Sequence, residues 1–189
     1  MRAAAIVAAL ARGSLWSIED ALANTGIPGA PGFYAWWEVP GAIPEVPAPP
    51  HASEALALLY VGIAPRDSMS KALLRSRLCR QHIGGNIASS TFRFGLSALL
   101  WESEGWRPRR SPSGKYRLEP ADNASLSKWQ REHLRLAWFV VPEPWRYESK
   151  VIEAMKPPMN REHNRSHPFY SHMGDARERF REAARNSAA

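Results

Sequence analysis

Two periods of apolar residues alternate along the chain and delimit its elements. GFYAWWEV at 32–39 is rich in aromatic and β-branched residues and stops at Pro40-Gly41, as a strand followed by a turn does. Alternation puts Tyr34, Trp36 and Glu38 on one face and Phe33, Ala35, Trp37 and Val39 on the other. Residues 40–50 carry five prolines, too many for a helix or a central strand, so an extended loop is predicted. LLYVGI at 58–63 reads as a second strand, antiparallel to the first across that long loop. RLAWFVV at 135–141 is continuously apolar and predicts a third strand buried on both faces, ended by Pro142 and Pro144.

Helical patterning fills the rest. The apolar run 3–11 falls far short of the roughly 20 residues of a membrane span, so no crossing is expected. Arg2 before it and Ala-x-Ala at its end resemble a signal peptide. The run is alanine-dominated, however, and continues as an amphipathic pattern to Leu22, so residues 1–28 read as a helical capping segment. A helix is predicted from Lys71 to His82 around Leu73, Leu74 and Leu78, stopped by Gly84-Gly85, and another from Ser90 to Trp101. Residues 102–125 are polar and turn-rich, with an exposed loop at 107–117. Short helices follow near 126–134 and 145–156, the latter closed by Pro157-Pro158, and a C-terminal helix near 174–185 looks charged almost all round. The order predicts an α+β domain: a small three-stranded sheet, mixed or antiparallel, surrounded by helices, with 29–170 as its body and 171–189 as a charged C-terminal helix.

Composition narrows the class. With 189 residues, 44% hydrophobic and 23% charged, the chain can bury a core, which excludes wholesale disorder, collagen and coiled coil. A formal charge of +7 biases partners towards polyanions such as nucleic acid. Cys79 is the sole cysteine, so neither an intramolecular disulfide nor a multi-thiolate metal site can form, and a cytoplasmic location is expected.

Several residues look placed for chemistry. In the helix near 145–156 the apolar stripe Val151, Ile152, Met155 leads back one turn to Glu148, which therefore sits at the inner edge, whereas Glu153 faces solvent. A carboxylate there needs a cation or metal partner, or simply enjoys the helix N-terminal dipole. Arg77 and Arg80 share a stripe beside the buried leucines and can reach over a sheet face, or lie solvated on the surface. Tyr34 and Tyr60 each lie two residues from a glycine, Gly32 and Gly62, and antiparallel pairing can bring both phenols to one face. His163 and His167 have no apolar stripe and no cysteine between them, so a dedicated zinc site is not expected. Arg107, Arg109, Arg110, Lys115 and Arg117 sit in the loop without an acidic residue, and with Trp106 and Tyr116 at its ends this loop can track a phosphate backbone and stack a base.

Taken in order, Gly32-Phe33-Tyr34, Tyr60-Val61-Gly62, the arginine-bearing segment LRSRLCRQH at 74–82, Glu148 in ESKVI and Asn160 closing KPPMN resemble the GIY-YIG endonuclease superfamily over roughly 32–165. The proline-rich connection is longer than that family's usual hairpin loop, and His82 stands one residue further from Arg77 than in its compact members. Arg77 and Arg80 both remain candidates for the family arginine. The resemblance implies phosphodiester hydrolysis, with DNA the expected substrate and one Mg2+ or Mn2+ bound by Glu148. It further implies that Arg77 contacts the phosphate, Tyr34 acts as general base, Tyr60 holds the water or the phosphate, and Gly62, Arg80, His82 and Asn160 give support. A catalytically silent member that only binds nucleic acid is the alternative.

Overall fold

The computed structural model describes residues 3–23, 26–43 and 45–187, so Arg2 of the signal-like pattern and Pro44 of the proline-rich loop lie outside the described residues. In chain order the elements are α1 (Ala3–Arg12), α2 (Ile18–Ala23), β1 (Gly32–Glu38), β2 (Ala57–Ala64), α3 (Leu74–Arg77) running into a π-turn (Leu78–Ile83), α4 (Thr91–Leu100), β3 (Pro108–Arg110), β4 (Tyr116–Leu118), α5 (Pro120–His133), β5 (Leu134–Val140), a 3-10 turn (Pro144–Arg146), α6 (Glu148–Met155) and α7 (Tyr170–Asn186).

The main sheet has the order β2-β1-β5 with both pairings antiparallel, so the α+β class holds and the sheet is antiparallel rather than mixed. All seven residues of β1 are buried because helices cover both faces of the sheet. Tyr34 and Trp36 face a core that includes Leu74, Leu78, Phe92, Leu96 and Phe180. Phe33, Ala35 and Trp37 face Ile6 and Leu10 of α1 and Val151 and Met155 of α6. The alternation read along 32–39 is thus the division between two cores.

Both outer strands have part of their free edges occupied. On β5, Trp16 exchanges backbone hydrogen bonds with Leu136, each 2.9 Å. On β2, the Asn160 amide does what a neighbouring strand would do: its Oδ1 accepts from the Val61 N–H at 2.9 Å and its Nδ2 donates to the Val61 carbonyl at 2.8 Å. The Met159 N–H adds a bond to the Leu59 carbonyl at 3.1 Å.

Several boundaries depart from the pattern. The amphipathic run to Leu22 is two helices, parted so that Trp16 can reach β5. The helix expected from Lys71 begins only at Leu74, where the N–H groups of Leu74 and Arg75 donate to the carbonyls of Ala30 and Pro28 instead of leaving the first turn unsatisfied. Within 102–125 the basic segment is no loop but the β3–β4 hairpin, turned through Gly114 at φ +78, and α5 already starts at Pro120. Burial of the third strand on both faces holds only for its first half, since Val140 is 47% exposed. The C-terminal helix starts at Tyr170 and is amphipathic: Met173, Ala176, Phe180 and Ala184 form a buried stripe, with Phe180 edge-on to Phe94 of α4 at 5.5 Å.

Two buried charged groups shape this frame. Arg93, fully buried in α4, donates to the carbonyls of His82, Ile83 and Asn123 and to the side chains of Asn123, Ser127 and Gln130, with no carboxylate among these acceptors. It pins the π-turn against α5. Glu38 is 2% exposed at the end of β1 and accepts the Ile43 N–H at 3.1 Å. Burial outweighs that hydrogen bond and pushes its pKa up from 4.5 to about 7. Between those two pH values the folded chain holds a proton that the unfolded chain has lost, so this group's contribution to stability falls as pH rises and levels off above about 7. Glu38→Gln keeps the acceptor and removes the titration. The expected result is a flatter dependence of Tm on pH in that window and a variant more stable than the parent at alkaline pH by roughly 2–3 kcal/mol; equal slopes for variant and parent would refute it.

Candidate active site

The β1–β2 register pairs Tyr34 with Gly62 and Trp36 with Tyr60, which sets the two phenols diagonally on one face with ring centroids 6.4 Å apart. Gly62 is required by contact: a Cβ there would fall on the phenol end of Tyr34, which lies across its strand partner. Burial, reinforced by Tyr60, holds the Tyr34 hydroxyl well above its ordinary pKa of 10.0, against the pull of Arg77. Tyr60 is raised by burial as well, and Thr91, in hydrogen-bonding reach, opposes the shift.

Arg77 and His82 come from the α3–π-turn segment. A π-turn holds one more residue than an α-turn, with i to i+5 bonding such as the Gly84 N–H to the Cys79 carbonyl. The extra residue between Arg77 and His82 is absorbed there, and both side chains stay on the side of the tyrosines. His82 is buried: its Nε2 lies 2.7 Å from the Tyr34 hydroxyl and its Nδ1 2.6 Å from Ser90 Oγ. Burial first, then the charges of Arg77 and Arg93, push its pKa down to about 3, so the imidazole is neutral. Arg77 donates from Nη1 to Gln81 Oε1 at 2.6 Å, and its charge acts on Tyr34, Tyr60, His82 and Glu148. Arg80 is exposed, and the group its charge acts on is Cys79. Of the two candidates, only Arg77 shares the tyrosines' surroundings.

Glu148 opens α6 and lines, with Ile152 one turn on, a cavity of about 250 Å³ bounded also by Tyr60, Thr91 and Asn160. Burial raises its pKa, as does Glu162, while His163 and Arg77 oppose. No salt bridge engages it among the described residues. No cluster of three or more His, Cys, Asp or Glu able to hold an ion exists among those residues. Glu148, with Glu162 the other carboxylate on the same cavity, borders open space and suits a hard cation that keeps most of its waters, so the donor set fits Mg2+ or Mn2+ and not a closed site of several protein ligands. Glu153 is exposed. Asn160 is 5% exposed and spends its amide on Val61 of β2, so it fixes the loop.

The basic hairpin borders a different hollow, which shares Thr91 with the Glu148 cavity. Arg107 pairs with Asp122 at 3.2 Å and Arg109 with Glu119 at 3.6 Å, acidic partners supplied by the start of α5 and the residue before it. Arg110 donates to the Gly114 carbonyl, while Lys115 and Tyr116 line a hollow of about 460 Å³ that reaches Thr91. Arg117 is half-buried. Trp106 is 5% exposed in the core and cannot stack on a base. Sequence reasoning missed Thr91, Arg161, Glu162 and Arg177, which line the Glu148 cavity. Arg161 and Glu162 directly follow Asn160 and so had a positional signal; Arg177 looked like one more surface charge of the last helix.

No helix among the described residues is long and apolar enough to cross a membrane. Comparison with curated proteins and with solved structures returned no match. A family model described as the GIY-YIG catalytic domain matches residues 32–179, a span that takes in both tyrosines, Arg77, His82, Glu148 and Asn160. The antiparallel hairpin that pairs Tyr34 with Gly62, the arginine segment beneath it and the glutamate helix at its edge accordingly make this chain a member of the GIY-YIG family of nucleic-acid-cleaving nucleases.

Proposed function

We propose that the chain is an endonuclease that hydrolyses phosphodiesters of DNA with one Mg2+ or Mn2+ held by Glu148. The observation that carries this reading is the convergence of Tyr34, Tyr60, Arg77 and Glu148, four residues from four elements that act on one another electrostatically, with Tyr60 and Glu148 lining the cavity and Tyr34 and Arg77 behind it. When bound, the cation supplies Lewis-acid polarisation of the scissile phosphate. Arg77 sets a permanent charge against the phosphate oxygens, where negative charge grows in the transition state. Tyr60 and Thr91 bring hydroxyls to the same cavity as Glu148, for positioning the phosphate or the attacking water. The Tyr34 phenol is protonated at rest and lies 2.7 Å from the neutral His82 Nε2, which orients it, so it can serve as general base only where the positive charge of Arg77 and of the cation lowers its pKa. Ser90, which caps α4 by accepting the Arg93 N–H at 3.0 Å, holds the other side of the His82 ring.

The test is incubation of the protein with single-stranded, duplex and branched DNA, with Mg2+, with Mn2+ and with chelator. Cleavage with either ion and none with chelator supports the reading. Absence of cleavage on every substrate overturns it in favour of a binding module. Gly62→Ala displaces the Tyr34 phenol and is expected to lower the cleavage rate about 10²-fold, the usual cost of misplacing a reacting group by an ångström; a rate within threefold (~3) of the parent would contradict this placement of Tyr34.

A further inference from the structure

Beside the Glu148 cavity lies a wider hollow of about 750 Å³, and Arg161, Glu162 and Arg177 line both. The two arginines are held without acid partners: no salt bridge engages either among the described residues. Arg161 lies over the Tyr170 ring at 4.5 Å, and its guanidinium rests where Gly174 lacks a side chain, 3.3 Å from the position a Cβ would take. Arg177 lies 5.8 Å from the Phe94 ring, and its charge acts on Tyr60. The Nε of each is buried without a hydrogen-bond partner. Their neighbours on α7 differ. Arg181 and Arg185 are both paired with Glu178, at 3.1 and 2.8 Å. Arg165 also faces the wider hollow, and Glu162 is the carboxylate there, exposed and without an arginine partner.

The guanidinium groups of Arg161 and Arg177, one over the Tyr170 ring and against Gly174 and the other near the Phe94 ring, act on each other's charge and repel unless an anion joins them. The cavity they share with Glu148 and Tyr60 places that anion next to the proposed cleavage site. We propose that Arg161 and Arg177 clamp an internal phosphate of the substrate strand adjacent to the one that is cleaved, and so set the position of cleavage along the strand. This rests on the nuclease reading for its geometry, but it concerns binding and is tested without turnover. Neither residue is assigned to the reacting atoms; both are positioning residues.

The test measures binding of a fluorescently labelled single-stranded DNA oligonucleotide and its duplex in chelator, as a function of salt, by the full chain and by Arg161→Gln, Arg177→Gln and the double variant. Each single change is expected to weaken binding about tenfold at low salt and to lower the slope of log affinity against log salt by about 1, and the double variant by about 2. A change that merely loosened the fold would move Tm and leave that slope alone, and Arg177→Lys should restore the slope while recovering only part of the affinity. Replacing single phosphates with neutral methylphosphonates along the oligonucleotide should weaken the parent at one internal position and leave the double variant indifferent there. An effect only at a terminal phosphate, an unchanged salt slope in the double variant, or no DNA binding by the parent would each overturn the clamp. A parent that binds in this way yet never cleaves would instead retain the clamp and reject the nuclease.

Discussion

Glu148→Gln is expected to reduce metal-dependent cleavage by about 10³-fold or more, because several kcal/mol of transition-state stabilisation pass through the carboxylate proposed to hold the cation. The fold should survive. Glutamine matches the shape, and removing a carboxylate that burial already disfavours relieves a cost to the folded state. The variant should also lose the rise in Tm that Mn2+ confers on the parent, since a ligand stabilises only the state that binds it. A further sign follows from the raised pKa. Glu148 takes up its proton at a higher pH than an ordinary carboxylate, so cleavage by the parent should decline on acidification earlier than such a carboxylate would allow. Parent-like cleavage by Glu148→Gln would remove the metal from this residue.

Arg77→Ala is expected to lower cleavage about 10²- to 10³-fold, the range seen when a single pre-placed donor is taken from a developing anion. Arg77→Lys should recover only part of the loss, because a point charge cannot reproduce the planar fork. Arg80→Ala is the control within the same turn: it is exposed and apart from the tyrosines, so its rate should stay near the parent's. If Arg80→Ala proved the more damaging, the assignment would have to be exchanged.

Why some of this architecture was legible along the chain is a matter of which residues bear the signal. The three main strands are read from aromatic and β-branched runs that have no other use in water, and the Tyr34–Tyr60 pair follows from antiparallel pairing alone. Glu148 could be placed because Ile152, one turn away, is apolar. The hairpin at 108–118 was hidden because three-residue strands of arginine, tyrosine and proline carry no alternation, and their pairing rests on turn chemistry and on contacts with α7. The buried stripe of α7 is half alanine and was masked by its flanking charges. Arg93 and Arg177 are the more instructive cases. Each sits at a helical position where arginine normally reaches water, and only tertiary packing turns it inward. The π-turn leaves no local mark either: its sole trace was one surplus residue between Arg77 and His82.

The partly occupied edges of the sheet bear on the chain's behaviour at high concentration. A small antiparallel sheet with bare outer strands offers each passing copy a row of unpaired amides and carbonyls, the usual template for edgewise aggregation. Here Trp16 interrupts that row at Leu136 of β5 and the amide of Asn160 interrupts it at Val61 of β2. Since Asn160 also bounds the Glu148 cavity, the residue that steadies the site is at the same time a guard against strand addition. Loss of its amide would therefore expose the sheet to self-association as well as loosen the loop that carries Arg161.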